Sequence, residues 1–153
     1  MLKLNARTII NDNKIESISE YSSKSQIRMI RDSENKRKIK GSYGYKSLIV
    51  MNDGYLFLCP NTPQVYFNRL NMEEYVIISP KRYAIRKDMI REIASKTNVS
   101  QKNDIRKSKE ENRFYDLSSN KKTAYYIFTI NNHIYATSGI WDIKQLAKGE
   151  DKT

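Results

Sequence analysis

The chain has 153 residues, 39% hydrophobic and 29% charged, enough for one ordinary domain or two small ones sharing a core. Lys plus Arg number 28 against 17 Asp plus Glu, a formal net charge of +11; such an excess points to a polyanionic partner, whether nucleic acid, an acidic membrane face or an acidic protein surface. The single cysteine, Cys59, excludes a disulfide framework and a cysteine-based zinc site within one chain. The opening MLKLNARTII lacks a signal-peptide core, and no window nears the ~18 apolar residues of a span, so a cytoplasmic, non-membrane protein is expected.

In chain order, LKLNARTII alternates apolar and polar residues and predicts a strand, followed by a turn at Asn11–Asn13. Ile15 and Ile18 have helical spacing and predict a short helical turn. A helix is expected from about Ser23 to Asn35, with Ser22 or Ser23 as N-cap. KSLIVM and YLFLC predict a hairpin around Asn52-Asp53-Gly54, the Asp-Gly pair favouring a type I′ turn with positive φ at both positions. PQVYFNRL predicts a short helix with Pro63 in its first turn.

The second half reads similarly. EYVIIS predicts a strand, PKRYA a turn, and RKDMIREIASK a helix with Ile90 and Ile93 on one face. Residues 97–112 read as a polar loop or an exposed helical extension. RFYDL predicts a strand, TAYYIFTI and HIYAT a hairpin around Asn131-Asn132, and WDIKQLAK a final helix. Aligned, Thr8–Ile10 matches Val76–Ile78, Lys14 matches Arg82, Ile27–Ile30 matches Ile90–Ile93, Tyr55–Phe57 matches His133–Tyr135, and Val65–Leu70 matches Ile143–Lys148. The expected fold class is α+β: two related β-α-ββ-α units, 1–72 and 73–148, packed as a pseudo-two-fold tandem, with a flexible tail at 149–153.

Lys14-Ile15-Glu16-Ser17-Ile18, Ser25 to Ile30, and Thr62-Pro63-Gln64-Val65 through Arg69-Leu70 resemble successive motifs of the RemA family, small bacterial DNA-binding regulators of biofilm matrix genes. Asp116 to Thr123 resembles that family's basic motif before the hairpin. The resemblance implies a LytTR-like fold, oligomerisation, and phosphate contacts from Lys121 and Lys122, with Gly44-Tyr45-Lys46-Ser47 as the first unit's counterpart, its spacing two residues shorter. In size and composition the chain also resembles staphylococcal anti-CRISPR inhibitors, gene products of phages and other mobile elements.

Catalytic equipment is not evident. His133 is the only histidine; its counterpart Tyr55 marks a strand position just after a turn. Cys59 is matched by Thr137. The phosphate-cradling glycine motifs are absent, so no cofactor, metal or enzymatic activity is expected. Basic charge is concentrated instead: residues 24–46 hold eight basic and two acidic residues, and residues 81–122 thirteen and six. The predicted binding residues are Lys121, Lys122, Thr123, Tyr45 and Lys46, extended by Arg28, Arg31, Arg37 and Lys38. The leading reading is a duplex-DNA regulator with affinity that falls as salt rises, possible as a homo-oligomer. The alternative is an inhibitor that binds a defence nuclease–guide RNA complex, with some of the 11 tyrosines as interface anchors.

Overall fold

The computed structural model describes residues 1–21, 35–39, 41, 44–118 and 121–151, with side chains through 147. Strands β1 (Leu2–Asn5) and β2 (Thr8–Ile10) form a hairpin. A 3-10 turn at Asp12–Lys14 follows, and Asn11 Oδ1 accepts from the Asn13 amide. Then come β3 (Ile15–Glu20), β4 (Lys36–Lys38), β5 (Ser47–Met51), β6 (Leu56–Cys59) and helix α1 (Pro63–Phe67), with Pro63 in its first turn as expected. The second half holds β7 (Tyr75–Ser79), β8 (Tyr83–Arg86), a 3-10 turn at Lys87–Met89, β9 (Ile90–Ala94), α2 (Val99–Glu110), β10 (Phe114–Asp116), β11 (Tyr125–Thr129), β12 (Ile134–Thr137) and α3 (Trp141–Asp151).

The fold is mixed α+β and mostly sheet. One sheet has the order β4-β6-β5-β3-β8-β7, a second β10-β12-β11-β9, and β1-β2 form a third. One face of the six-stranded sheet carries Ile18, Ile49 and Phe57, packed with Leu2, Leu4 and Tyr66 from the first hairpin and α1. Its other face carries Leu48, Val50 and Leu58, packed with Tyr115, Ile127 and Tyr135 of the four-stranded sheet. Helix α2 covers the remaining face of that second sheet through Ile105, against Phe128 and Ile134. Among the described residues, no helix is long and apolar enough to cross a membrane.

Several expectations change. Residues 2–10 form two strands rather than one, because the chain turns at Ala6-Arg7. Ile15 and Ile18 belong to a strand, not a helical turn, and Ile90 and Ile93 likewise. The cause is the same in both places. The register slips by one residue at Glu16, between the pairs Ile15↔Met51 and Ser17↔Val50, and at Arg91, between Ile90↔Thr129 and Glu92↔Phe128. A bulge adds one residue to a period of two, so isoleucines three apart face one side, as they would on a helix. Of the two alternatives for residues 97–112, the helical one holds: Val99–Glu110 are helix, started by a capping box in which Asn98 accepts from the Gln101 amide and Gln101 from the Asn98 amide. The last helix runs to Asp151, past Lys148 and into the expected tail. The helix expected at Ser23–Asn35 lies, apart from Asn35, outside the described residues.

The two halves repeat their pairings. Lys36↔Leu56 is parallel, as is Phe114↔Ile134. Val50↔Leu56 corresponds to Phe128↔Ile134, and Ile18↔Ile49 to Ile93↔Ile127. Leu2↔Ile10 and Asn5↔Thr8 correspond to Val76↔Ile85 and Ser79↔Tyr83, the second turn being longer by one residue. Thr8–Ile10 therefore corresponds to Tyr83–Ile85, not Val76–Ile78, and Ile15–Ile18 takes the place that Ile27–Ile30 held in the sequence alignment. Both main hairpins use one turn design: Gly54 N donates to Met51 O and Met51 N to Tyr55 O, as Asn132 N does to Thr129 O and Thr129 N to His133 O. Only the last turn residue has positive φ, +87° at Gly54 and +68° at Asn132. This is a type I turn closed by a left-handed residue, in place of the expected type I′. Pairing between the halves runs one way: β8 of the second half joins β3 of the first, whereas β2 does not join β9.

Candidate nucleic-acid interface

Lys121 and Lys122 lie on the connection from β10 to β11, which is held at both ends. Leu117 N donates to Ala136 O (2.7 Å) and Ala124 N to Thr137 O (2.8 Å), extending both strands' pairing with β12. The Asp116 carboxylate accepts from Ser118 N (2.9 Å), and the Ser118 and Thr123 hydroxyls are 3.0 Å apart. Thr123 thus braces the loop while Lys121 and Lys122 remain exposed.

Lys121 lines a pocket of about 230 Å³. The β7–β8 turn supplies Pro80 and Arg82, and the β12–α3 turn supplies Gly139, Trp141 and Lys144. Three cations therefore converge, with the half-exposed Trp141 at the rim. Arg82 is held in place: its Nε donates to Glu20 Oε2 (2.7 Å), its Nη2 to the Tyr83 hydroxyl (3.1 Å), and its guanidinium lies over the Tyr83 ring. The Glu20 hydrogen bond raises its pKa further, so it stays charged. Gly139 leaves room for a close neighbour, since a Cβ there would come within 3.2 Å of Lys144 Nζ.

The first-half residues reach the same end of the main sheet. Lys46 N donates to Cys59 O (2.8 Å), and Lys46 O accepts from Tyr21 N (2.9 Å). On the next strand over, Glu20 N donates to Arg82 O (3.0 Å). Lys38 ends β4 beside Leu58, at that same end. Lys38, Lys46 and Arg82 thus lie along one border of the sheet, which continues into the Lys121 pocket. Tyr45 is half-buried against the central core, and Lys46 is exposed. Arg37 takes another direction, its Nη2 donating to Thr8 Oγ1 (3.3 Å) on the hairpin side. Arg28 and Arg31 lie outside the described residues.

Backbone pairing also corrects the match between the two basic motifs. Lys46 donates to Cys59 as Ala124 donates to Thr137, so Lys46 is the counterpart of Ala124. Lys122 then corresponds to Gly44. Tyr66 stands where Lys144 stands and is fully buried, its hydroxyl donating to Leu4 O (3.4 Å). Cys59, in the position of Thr137, is also buried, and burial pushes its thiol up to about 12.

A second constellation joins the halves. Glu16, the bulge residue of β3, is fully buried; it accepts from the Tyr135 hydroxyl and faces His133 Nδ1 at 2.8 Å and 3.1 Å. The Ser17 hydroxyl is 2.7 Å from that of Tyr135, on which Tyr115 stacks at 4.7 Å. Burial first, then the Glu16 charge, raise the Tyr135 phenol well above its ordinary value. Glu16 and Tyr135 are buried, while His133 and Tyr115 line a pocket of about 420 Å³, and the cluster ties β3 of one half to β12 of the other. His133 and Cys59 have separate partners, Glu16 and the Tyr66 core. Among the described residues, no three His, Cys, Asp or Glu side chains gather as metal ligands.

Sequence reasoning missed Arg82, Trp141 and Lys144. Lys81-Arg82 in the β7–β8 turn was a visible signal; the other two join the site only through the fold. No protein-family model matches the chain, and no curated protein matches it in sequence.

Proposed function

We propose that the chain is built of two related units, 1–72 and 73–148, and that it binds duplex DNA in a regulatory, non-enzymatic role of RemA-like type. The observation that carries this reading is the convergence of Lys121, Arg82 and Lys144 on one braced pocket, bordered by Lys46 and Lys38 along the sheet end. Such a pocket suits a phosphate: Lys121 and Lys144 bring charge to it beside Arg82, whose own charge is shared with Glu20, and Trp141 gives a flat apolar rim for a sugar or base. The repeated strand registers support the two related units. The one-way pairing of β8 with β3 favours a head-to-tail arrangement of those units over the pseudo-two-fold tandem.

The test is duplex binding across a salt series. Affinity is expected to fall steeply from about 50 mM to 200 mM salt. Lys121→Ala/Lys122→Ala and Lys144→Ala each weaken binding and flatten that slope, whereas Arg37→Ala changes it little. Absence of duplex binding at ~50 mM salt overturns the proposal. The same basic border would then be left for an acidic protein face, as in the nuclease-inhibitor alternative.

A further inference from the structure

The seam between the halves has a vacant counterpart. Within the chain, β8 pairs antiparallel with β3 through Ser17↔Ile85, Ile18↔Ala84 and Ser19↔Tyr83. The strand corresponding to β3 is β9, and the strand corresponding to β8 is β2. Yet β9 is the outer strand of its sheet, and β2 pairs only with β1 among the described strands. The side chains follow the same pattern. In the filled seam, Tyr75 and Ala84 of the β7–β8 hairpin are 2% and 1% exposed, and they pack with Ile18 in the first core. Their counterparts on the β1–β2 hairpin are Met1 and Ile9, which are 78% and 59% exposed. The counterpart of Ile18 is Ile93, half-buried beside an apolar groove of about 750 Å³ lined by Val76, Ile77, Ile143 and Leu146.

We infer that β9 and this groove receive the β1–β2 hairpin of a second copy, so that copies join head to tail. The internal seam supplies the register: Ile10 opposite Glu92, Ile9 opposite Ile93, and Thr8 opposite Ala94, antiparallel. Adding a strand to an exposed edge satisfies the free backbone groups of both strands. Ile9 and Ile93 then bury each other on the groove side, and Met1 enters the groove as Tyr75 enters the first core. Helix α2 leaves this approach open, because it covers the opposite face of the second sheet, against Phe128 and Ile134. The contact is heterologous, since each copy offers a hairpin at one end and a β9 edge at the other. It therefore propagates into a filament or closes into a ring. This inference is independent of DNA binding.

The test is the solution mass of the full chain, without nucleic acid, over a concentration series. The wild type is expected to exceed the 18.0 kDa monomer and to grow with concentration or stop at a ring. Ile9→Lys and Ile93→Lys should each give monomers, with circular dichroism checking that they are folded. Ile9 is exposed, so Ile9→Lys serves alone if Ile93→Lys fails to fold. Mixing the two variants should restore a complex of two chains and no more, because one intact hairpin meets one intact β9. A wild type that stays monomeric at the highest concentration reached overturns the inference. So does assembly that survives Ile9→Lys, or a mixture of folded variants that stays monomeric.

Discussion

The two halves of this protein share strand registers, bulges and turn design, yet corresponding positions have been put to opposite uses. Tyr66 fills the first half's space behind the β-hairpin and α1, whereas Lys144 leaves the second half's equivalent open and charged. Glu16 is a buried carboxylate that ties the halves together; its counterpart Arg91 is exposed, paired with Glu92 (3.4 Å) and lying over Phe128. Gly54 and Asn132 make one turn by two routes, glycine through freedom at positive φ and asparagine through tolerance of it. A repeated backbone thus constrains which positions face a core or a turn. Whether such a position is closed, charged or open depends on the side chain placed there.

The strongest way to break this contrast is at Tyr66 and Lys144. Tyr66→Ala removes a fully buried ring and should destabilise the fold by about 4 kcal/mol. Lys144→Ala, on an exposed side chain, should stay within about 0.5 kcal/mol. Urea denaturation of both variants checks the pair; equal costs would mean that the two spaces are not used differently.

Next comes the tie between the halves. Glu16→Ala leaves the Tyr135 hydroxyl and His133 Nδ1 without their buried acceptor, at a cost of about 3 kcal/mol. Arg91→Ala should cost under about 0.5 kcal/mol. Thermal unfolding of both proteins measures the difference.

The smallest effect concerns Cys59 and its counterpart Thr137. Burial raises the Cys59 thiol from 9.0 to about 12. The folded state therefore favours the neutral thiol. Its contribution is complete below the unfolded value and is lost as pH rises towards the folded one. Near pH 10 the loss should be about 1.4 kcal/mol, added to that from the buried tyrosines, whose values are also raised. Stability measured from pH 8 to pH 11 should fall, and Cys59→Thr, which copies the second half, should flatten part of that fall.

Much of the fold was legible where local chemistry and tertiary environment agree. Asn52-Asp53-Gly54 and Asn131-Asn132 mark their turns because few residues accept positive φ. Pro63 starts α1 because its missing amide costs nothing there. The strands β3 and β9 were misread because a bulge imitates helical spacing over a short stretch, and a bulge is defined only by the partner strand. Of the candidate site, Lys121, Lys122 and Lys46 were visible as a charge excess before each hairpin. Arg82 and Lys144 were not grouped with them, since nothing local links residues so far apart in the chain.

The sequence by itself determined the turns, the repeated hairpins and the basic excess, because backbone preference and charge are carried by each residue alone. Only the tertiary structure decided that β8 joins β3 while β9 keeps an open edge. It also decided that Glu16 is buried against His133 and that three distant cations share one pocket. Each of these depends on which surfaces meet, and hydrogen bonding and burial between distant segments are properties of the pair rather than of either segment.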